Sequence, residues 1–181
     1  MAQIQVGQQL DPLSLVIGTD RAEILLHMNQ LDAATAQIKK VVELDSEFGP
    51  AHLVLARIYE RQRKYDAAIS EYGVVGGKPN DPTILAFQAM VYAEAGRTKK
   101  AREILSRAEK LAAQSSLPYD GCALASAYGV LGDKDKAFFW LEREYLARSP
   151  SLLTLKVHES FAPLRSDRRF EDLVRRIGFS K

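Results

Sequence analysis

The side chains best suited to metal binding or nucleophilic catalysis are few in this chain of 181 residues, which has three histidines and one cysteine. His27, His52 and His158 lie far apart, so no closely spaced pair offers two imidazoles from one helix face, as a local zinc site requires. Cys122 stands outside any catalytic signature, and a single cysteine allows neither an intrachain disulfide nor a cysteine-based zinc site. We therefore expect structural or surface roles for these four residues, and no bound metal.

Two short segments resemble ligand loops but lack a required residue. The segment GVVGGKP at 73–79 suggests a phosphate-binding loop, yet Tyr72 stands where its first glycine belongs and Pro79 replaces the metal-binding serine or threonine. The acidic residues of segment 133–144 have the outer spacing of a calcium loop, but Phe138 occupies the position that needs glycine for a sharp turn. No carboxylate pair is isolated in an apolar stretch, so we expect neither an enzyme nor a cofactor.

Composition and charge exclude further classes. The chain is 46% hydrophobic and 27% charged, with a formal net charge of +2, which fits a folded domain or a short repeat array. No stretch approaches the roughly 18 consecutive apolar residues of a membrane-spanning helix, and residues 1–10 lack the pattern of a signal peptide. Basic residues near the end alternate with acids, as in RSDRRFEDLVRR, so we expect no nucleic-acid binding. The single cysteine fits a reducing, cytoplasmic location.

An internal repeat dominates the sequence. Three independent sets of positions recur with the same intervals of 34, 33 and 36 residues. The sets are Ala34, Ala68, Ala101 and Ala137; Ala22, Ala56, Ala89 and Ala125; and Leu25, Tyr59, Tyr92 and Tyr128. Small residues that recur in this way indicate helices that approach closely at those positions.

Each repeat predicts two helices joined by a tight turn. In the second repeat, apolar residues recur at i, i+3 and i+4 in both AHLVLARIYERQ and RKYDAAISEYGVV. The turn between the two helices carries Asn29, Gly96 or Gly132, residues that tolerate a left-handed backbone, whereas Arg63 departs from this pattern. Asp32, Asp66 and Asp135 fall at the starts of the second helices, where we expect them to cap free N–H groups and to meet the positive end of the helix dipole.

With these alanines the chain resembles the tetratricopeptide repeat (TPR) family, whose 34-residue helix–turn–helix unit has small residues at its eighth and twentieth positions. The resemblance implies an all-α, right-handed α-solenoid of about four TPR units at 15–48, 49–81, 82–117 and 118–150. Residues 1–14 look like the end of a preceding half-repeat, which is either a natural capping helix or the result of cutting a longer protein. Such a start would leave an apolar helix face uncovered, so we expect weak homodimerisation through residues 1–30.

Residues 151–181 are predicted to be a capping segment with a helix at about 167–177, begun by Asp167 and ended by Gly178. The GDKDKAFFWLE repeat followed by LRSDRRFEDLVRRIG is similar to the ending of TPR regions in many bacterial signalling proteins, although Arg168 replaces the proline of that pattern. Winged-helix regulators and Ser/Thr protein kinases often carry such regions. The resemblance thus implies a docking or sensing arm of a bacterial regulator.

The family binds peptides in a concave groove lined by the first helix of each unit. Carried across unit by unit, the groove candidates are Glu23, Leu26, His27, Leu53, Arg57, Arg61, Met90, Glu94, Tyr119, Cys122 and Ser126. Arg57 and Arg61 lie one helical turn apart and could together bind a carboxylate of a protein or peptide partner. The first unit has Thr19 and Glu23 where chaperone-binding members have Lys and Asn, which disfavours that role. The alternative function is a structural unit that self-associates through the solenoid ends.

Overall fold

The structure, a computed structural model, describes residues 11, 13–75, 80–114 and 119–178. Within these ranges the regular structure is entirely helical, as the repeat pattern predicted, and no strand occurs. The chain divides into two compact units, residues 1–79 and 80–181. None of the described helices is long and apolar enough to span a membrane.

The first unit contains two helical hairpins. Helices α1 (Leu15–His27) and α2 (Leu31–Leu44) form the first hairpin, and α3 (Gly49–Arg61) and α4 (Tyr65–Val74) form the second. Helix α3 packs against both α1 and α2, so consecutive hairpins stack. The half-repeat predicted at 1–14 lies mostly outside the described residues, and so do residues 1–10 and 12 of the segment 1–30 that is expected to mediate homodimerisation.

The second unit repeats this arrangement and extends it. Helices α5 (Pro82–Glu94) and α6 (Thr98–Gln114) form one hairpin, and α7 (Gly121–Val130) and α8 (Lys134–Leu146) form the next, with α7 packed on both α5 and α6. Two short 3₁₀ helices follow, at Pro150–Thr154 and Glu159–Leu164, and α9 (Arg168–Ile177) ends the described chain.

The recurring alanines lie in the packed interior between helices. All eight are fully buried, with 0% exposure: Ala22, Ala34, Ala56, Ala68, Ala89, Ala101, Ala125 and Ala137. A larger side chain at any of them would have to displace a neighbouring helix. Close packing thus explains why these positions recur in the sequence.

The turns within the hairpins share one left-handed residue. Asn29 (φ 58°), Gly96 (φ 74°) and Gly132 (φ 78°) adopt it as predicted. Arg63 adopts it too, with φ 57°, and the N–H of the next residue, Lys64, donates to the carbonyl of Tyr59 as in the other turns. The hydrogen-bonded helix end therefore imposes this conformation even on an arginine.

The acidic residues near the starts of the second helices lie at the predicted end of the helix dipole but do not cap the helices. Asp32, Asp66 and Asp135 lie in the first turns of α2, α4 and α8, and none of them is the capping residue of its helix. Asp133 caps α8 instead, accepting from the N–H of Lys136 at 3.2 Å. A carboxylate within the first turn still meets the positive end of the helix dipole, which accounts for its position without a cap.

Helix α9 begins and ends as its sequence predicted. The Oδ1 atom of Asp167 accepts from the N–H of Arg169 at 3.1 Å, and Gly178 stops the helix with φ 83°. Its buried residues Phe170 and Leu173 belong to the core of the second unit. The helix packs on α8, while the 3₁₀ helix Glu159–Leu164 packs on α7.

Candidate functional site

The first unit exposes polar side chains on the two helices that begin its hairpins. We call this surface the α1–α3 face and define it by Glu23 and His27 of α1 and by Leu53, Arg57 and Arg61 of α3. The His27 side chain is 58% exposed, that of Glu23 40% and that of Arg57 31%. Arg61 is exposed and Leu53 is partly buried. These five predicted groove residues therefore keep accessible surface on α1 and α3, and Glu23, His27 and Arg57 lie close together.

An ion pair links the two helices across this face. The Nη1 atom of Arg57 donates to Oε1 of Glu23 at 2.5 Å, and Nε2 of His27 lies 4.0 Å from the same oxygen. Arg61, one turn further along α3, donates from Nη2 to Oδ1 of Asn29 at 3.3 Å. Glu23 and Arg57 are 34 residues apart, so they hold the same position in consecutive repeats and stacking brings them side by side.

Four other predicted groove residues lie within the cores. Leu26 is 5% exposed and belongs to the core of the first unit. Met90, Cys122 and Ser126 are 9%, 5% and 3% exposed, and all three are buried in the second unit. This burial corrects the expectation that these side chains line an open groove, since it leaves them almost no surface for a partner.

The two remaining candidates keep some surface. Glu94 is exposed near the end of α5, and Tyr119 is partly buried. The Tyr119 ring lies edge-on to Trp140, with 6.0 Å between the ring centroids. Tyr119 therefore also supports the packing of α8.

The burial of Ser126 has a local cause. Its hydroxyl lies 3.0 Å from that of Ser160 in the 3₁₀ helix that covers α7, and Leu164 of that helix lies against Gly129. Ser160 follows Ser126 by 34 residues, so the 3₁₀ helix stands where the first helix of another repeat would stack.

The sequence carried a signal for this arrangement. The contacts Arg169–Asp135 and Arg176–Glu142 have the same separation of 34 residues as Ser160 and Ser126. The 34-residue spacing therefore continues past residue 150, although the apolar periodicity of a repeat's first helix does not.

Folding also brings together three potential metal ligands that sequence spacing did not reveal. One ligand atom from each of Asp120, Cys122 and Glu144 lies within 4.8 Å of the others. Asp120 caps α7 by accepting from the N–H of Cys122 at 2.9 Å. Burial raises the pKa of the Cys122 thiol above its usual range, and the nearby Asp120 and Glu144 raise it further. A thiol held neutral in this way is a poor nucleophile.

Glu144 is the buried carboxyl group of this cluster. Burial raises its pKa and the charge of Asp120 adds to this, whereas hydrogen bonds from the Ser149 side chain and from the Gly121 N–H act in the opposite direction. A raised pKa in the folded state means that the neutral form is favoured there. This contribution to stability is present at acidic pH, below the usual titration range of glutamate, and is lost as the pH rises through the raised pKa.

Glu144→Gln should therefore raise the melting temperature of the protein at neutral pH, because glutamine is similar in shape but never ionises. The gain should shrink in acidic buffer, where Glu144 itself is neutral. Melting curves of both proteins followed by circular dichroism across this pH range measure the difference. Glu142→Gln is the matched control, since Glu142 accepts from Arg176 on the surface and its loss should not stabilise. Equal gains at acidic and neutral pH would contradict the assignment.

Comparisons with known proteins show which proteins have a similar sequence or fold. No protein-family model matches the chain. The chain is 35% identical over 69 residues to the tetratricopeptide repeat and J domain-containing co-chaperone DNJ1 of Fusarium oxysporum f. sp. lycopersici. That match covers 38% of this chain and only 13% of the co-chaperone.

Two solved structures are similar over 96% of the chain. One is a chain of the APC/C hetero-tetramer Cut9–Hcn1, with a TM-score of 0.69, 18% identity and 35% of that chain covered. The other is YrrB, described as a TPR protein with an unusual peptide-binding site, with a TM-score of 0.54, 16% identity and 90% of that chain covered. Together with the stacked hairpins and their buried alanines, these likenesses show that the chain has the fold of the tetratricopeptide repeat proteins.

Proposed function

We propose that the chain is a non-catalytic protein-interaction module whose α1–α3 face binds a carboxylate-bearing segment of a partner protein. The observation that carries this proposal is the pair of guanidinium groups, those of Arg57 and Arg61, one turn apart on an accessible helix face. Guanidinium groups bind carboxylates through paired, charge-assisted hydrogen bonds. Leu53, one turn before Arg57, offers apolar contact beside them.

The likeness to YrrB supports a peptide as the partner, since that protein is described as having a peptide-binding site. Cut9 and Hcn1 form a hetero-tetramer, so that relative acts within a protein assembly. Both are consistent with a module that works through its surface. In the second unit, Glu94 and Tyr119 remain candidates for contacts outside the α1–α3 face.

We further propose that this chain is the docking or sensing arm of a bacterial regulator. Its support is the resemblance of residues 132–178 to the ending of TPR regions in bacterial signalling proteins. Sequencing the genomic reading frame around the coding region tests this directly. A winged-helix or kinase domain in the same frame is the expected result.

Self-association is the second candidate function. Leu13 and Val16, before and within the first turn of α1, are 69% and 59% exposed. Large apolar side chains exposed together favour contact with another protein surface. Light scattering over a range of protein concentrations separates this candidate from peptide binding.

The carboxylate-binding proposal is tested with an array of peptides that end in Asp-Glu with a free C-terminus, each paired with an amidated version ending in Asn-Gln. We expect the wild-type protein to prefer the acidic set. The double variant Arg57→Gln and Arg61→Gln should bind the acidic peptides about a hundredfold more weakly or worse, since two hydrogen bonds to charged groups, each contributing about 1.5–3 kcal/mol, are lost. Glutamine avoids placing a second carboxylate beside Glu23.

The matched control is Lys39→Gln with Lys40→Gln. These lysines are exposed on α2 of the same unit, so the net charge changes equally while the α1–α3 face stays intact. This control should bind nearly as wild type, and all variants should melt alike. Equal loss in the control and the arginine variant would mean that binding follows net charge, and no preference for acidic peptides would overturn the proposal.

A further inference from the structure

We propose that Glu23 acts as an internal competitor of the partner's carboxylate for Arg57, and so limits which segments can bind the α1–α3 face. This inference rests on the function proposed above. The carboxylate of Glu23 occupies Nη1 of Arg57 from the neighbouring helix, in the way that an incoming carboxylate would. A partner must therefore exchange places with Glu23 before it can use this arginine fully.

The geometry permits such an exchange. The side chains of Glu23 and Arg57 are 40% and 31% exposed, so water and a peptide can reach the pair. Partly exposed ion pairs contribute little to folding stability, and opening this one should cost the protein correspondingly little. With Glu23 in place, the α1–α3 face can thus still bind a partner's carboxylate, but more weakly than it would if Arg57 had no internal carboxylate beside it.

His27 gives the displaced carboxylate a second neighbour. Its Nε2 atom lies 4.0 Å from the same Oε1 of Glu23 that Arg57 contacts, one turn along α1. The carboxylate can therefore turn towards the imidazole without moving the helix, since both residues lie on the same exposed side of α1. This keeps Glu23 at the edge of the site when Arg57 engages a partner.

A purely structural role does not account for the charge at this position. In the second unit the equivalent repeat position links consecutive elements through the hydroxyls of Ser126 and Ser160, which are 3.0 Å apart. Ser126 is 3% exposed and Ser160 is partly buried there, so neighbouring elements stack at this position through neutral groups. The accessible ion pair of the first unit is thus a departure from what stacking alone requires, and it falls on the proposed binding face.

The test compares Glu23→Gln with wild type for binding of the tightest acidic peptide from the array above, using fluorescence anisotropy. Glutamine keeps the size of the side chain but removes its charge, so Arg57 becomes available. We expect affinity for this peptide to rise about threefold, the size appropriate to an exposed ion pair that no longer has to be opened. The amidated Asn-Gln counterpart should gain much less.

Asp20→Asn is the matched control. Asp20 is exposed on α1 about one turn before Glu23 and has the same charge. Removing its charge therefore changes the electrostatic potential around α1 without breaking the ion pair between Glu23 and Arg57. A gain for Glu23→Gln beyond that of Asp20→Asn supports the competitor role. Equal gains, or none, overturn it. If the arginine variants also leave binding unchanged, the proposed function fails as well; if only those variants weaken binding, the proposed function stands and the competitor role alone fails.

Discussion

Trp140→Ala is expected to destabilise the protein by about 3–5 kcal/mol, whereas Trp140→Phe should cost only about 1–2 kcal/mol. Trp140 is 1% exposed in the core of the second unit and packs edge-on against Tyr119. Alanine would leave a large cavity there. Phenylalanine keeps most of the packing, and it also removes an indole N–H that has no hydrogen-bond acceptor among the described residues.

Urea unfolding followed by circular dichroism measures these differences, since Trp140 is the only tryptophan and its fluorescence disappears in the variants. Phe139→Ala is the control: this neighbouring aromatic residue is 54% exposed and should cost far less than Trp140→Ala. Similar costs for alanine at positions 139 and 140 would mean that α8 does not bury the face described. A phenylalanine variant as unstable as the alanine variant would contradict the expectation that phenylalanine keeps most of the packing of Trp140.

The sequence predicted the parts of this fold that repeat. Alanines spaced by 33 to 36 residues located eight fully buried positions, because small size at a fixed interval has a simple steric cause. The turn at Arg63 shows the strength of that register: the residue is unsuited to a left-handed backbone, yet the repeat position determined its conformation. Local preference gave way to the hydrogen-bonded end of α3.

The candidate site was predicted less well because side-chain exposure depends on what covers a helix. Repeat position placed Leu26 and Arg57 on the first helices, but only packing decides that Leu26 enters the core. Cys122 and Ser126 are equivalent in repeat position to accessible residues of other units. Ser126 is covered by a 3₁₀ helix containing Pro163, which lacks the apolar periodicity by which a helix is recognised.

Helical periodicity likewise could not predict contacts between residues that are far apart in the chain. Glu144 lies 24 residues after Asp120, and only the packed α7–α8 hairpin brings the two carboxyl groups together. The pairing of Glu23 with Arg57 could have been found, since both occupy the ninth position of consecutive units. A search for opposite charges one repeat apart would have indicated it.

Gly18→Ala is the second change expected to have a large effect. The test is whether it lowers or raises the free energy of unfolding. Gly18 is buried on α1, and a Cβ atom there would come within 2.6 Å of Cγ2 of Val41 on α2. Valine has one strongly preferred rotamer in a helix, so it cannot turn away freely. We expect a loss of about 1–3 kcal/mol from this overpacking, although alanine by itself favours a helix by up to about 1 kcal/mol over glycine.

A double-mutant cycle separates the cost of overpacking from the helix preference of alanine. Val41→Ala removes the clashing methyl group, so Gly18→Ala should become neutral or stabilising in that background. Gly73→Ala in α4 is the control: among the described residues, no atom outside the backbone of its own helix and its chain neighbours lies within 4 Å of the added Cβ, and the helix preference alone should then stabilise the protein. Additive costs at positions 18 and 41 would contradict close contact between α1 and α2.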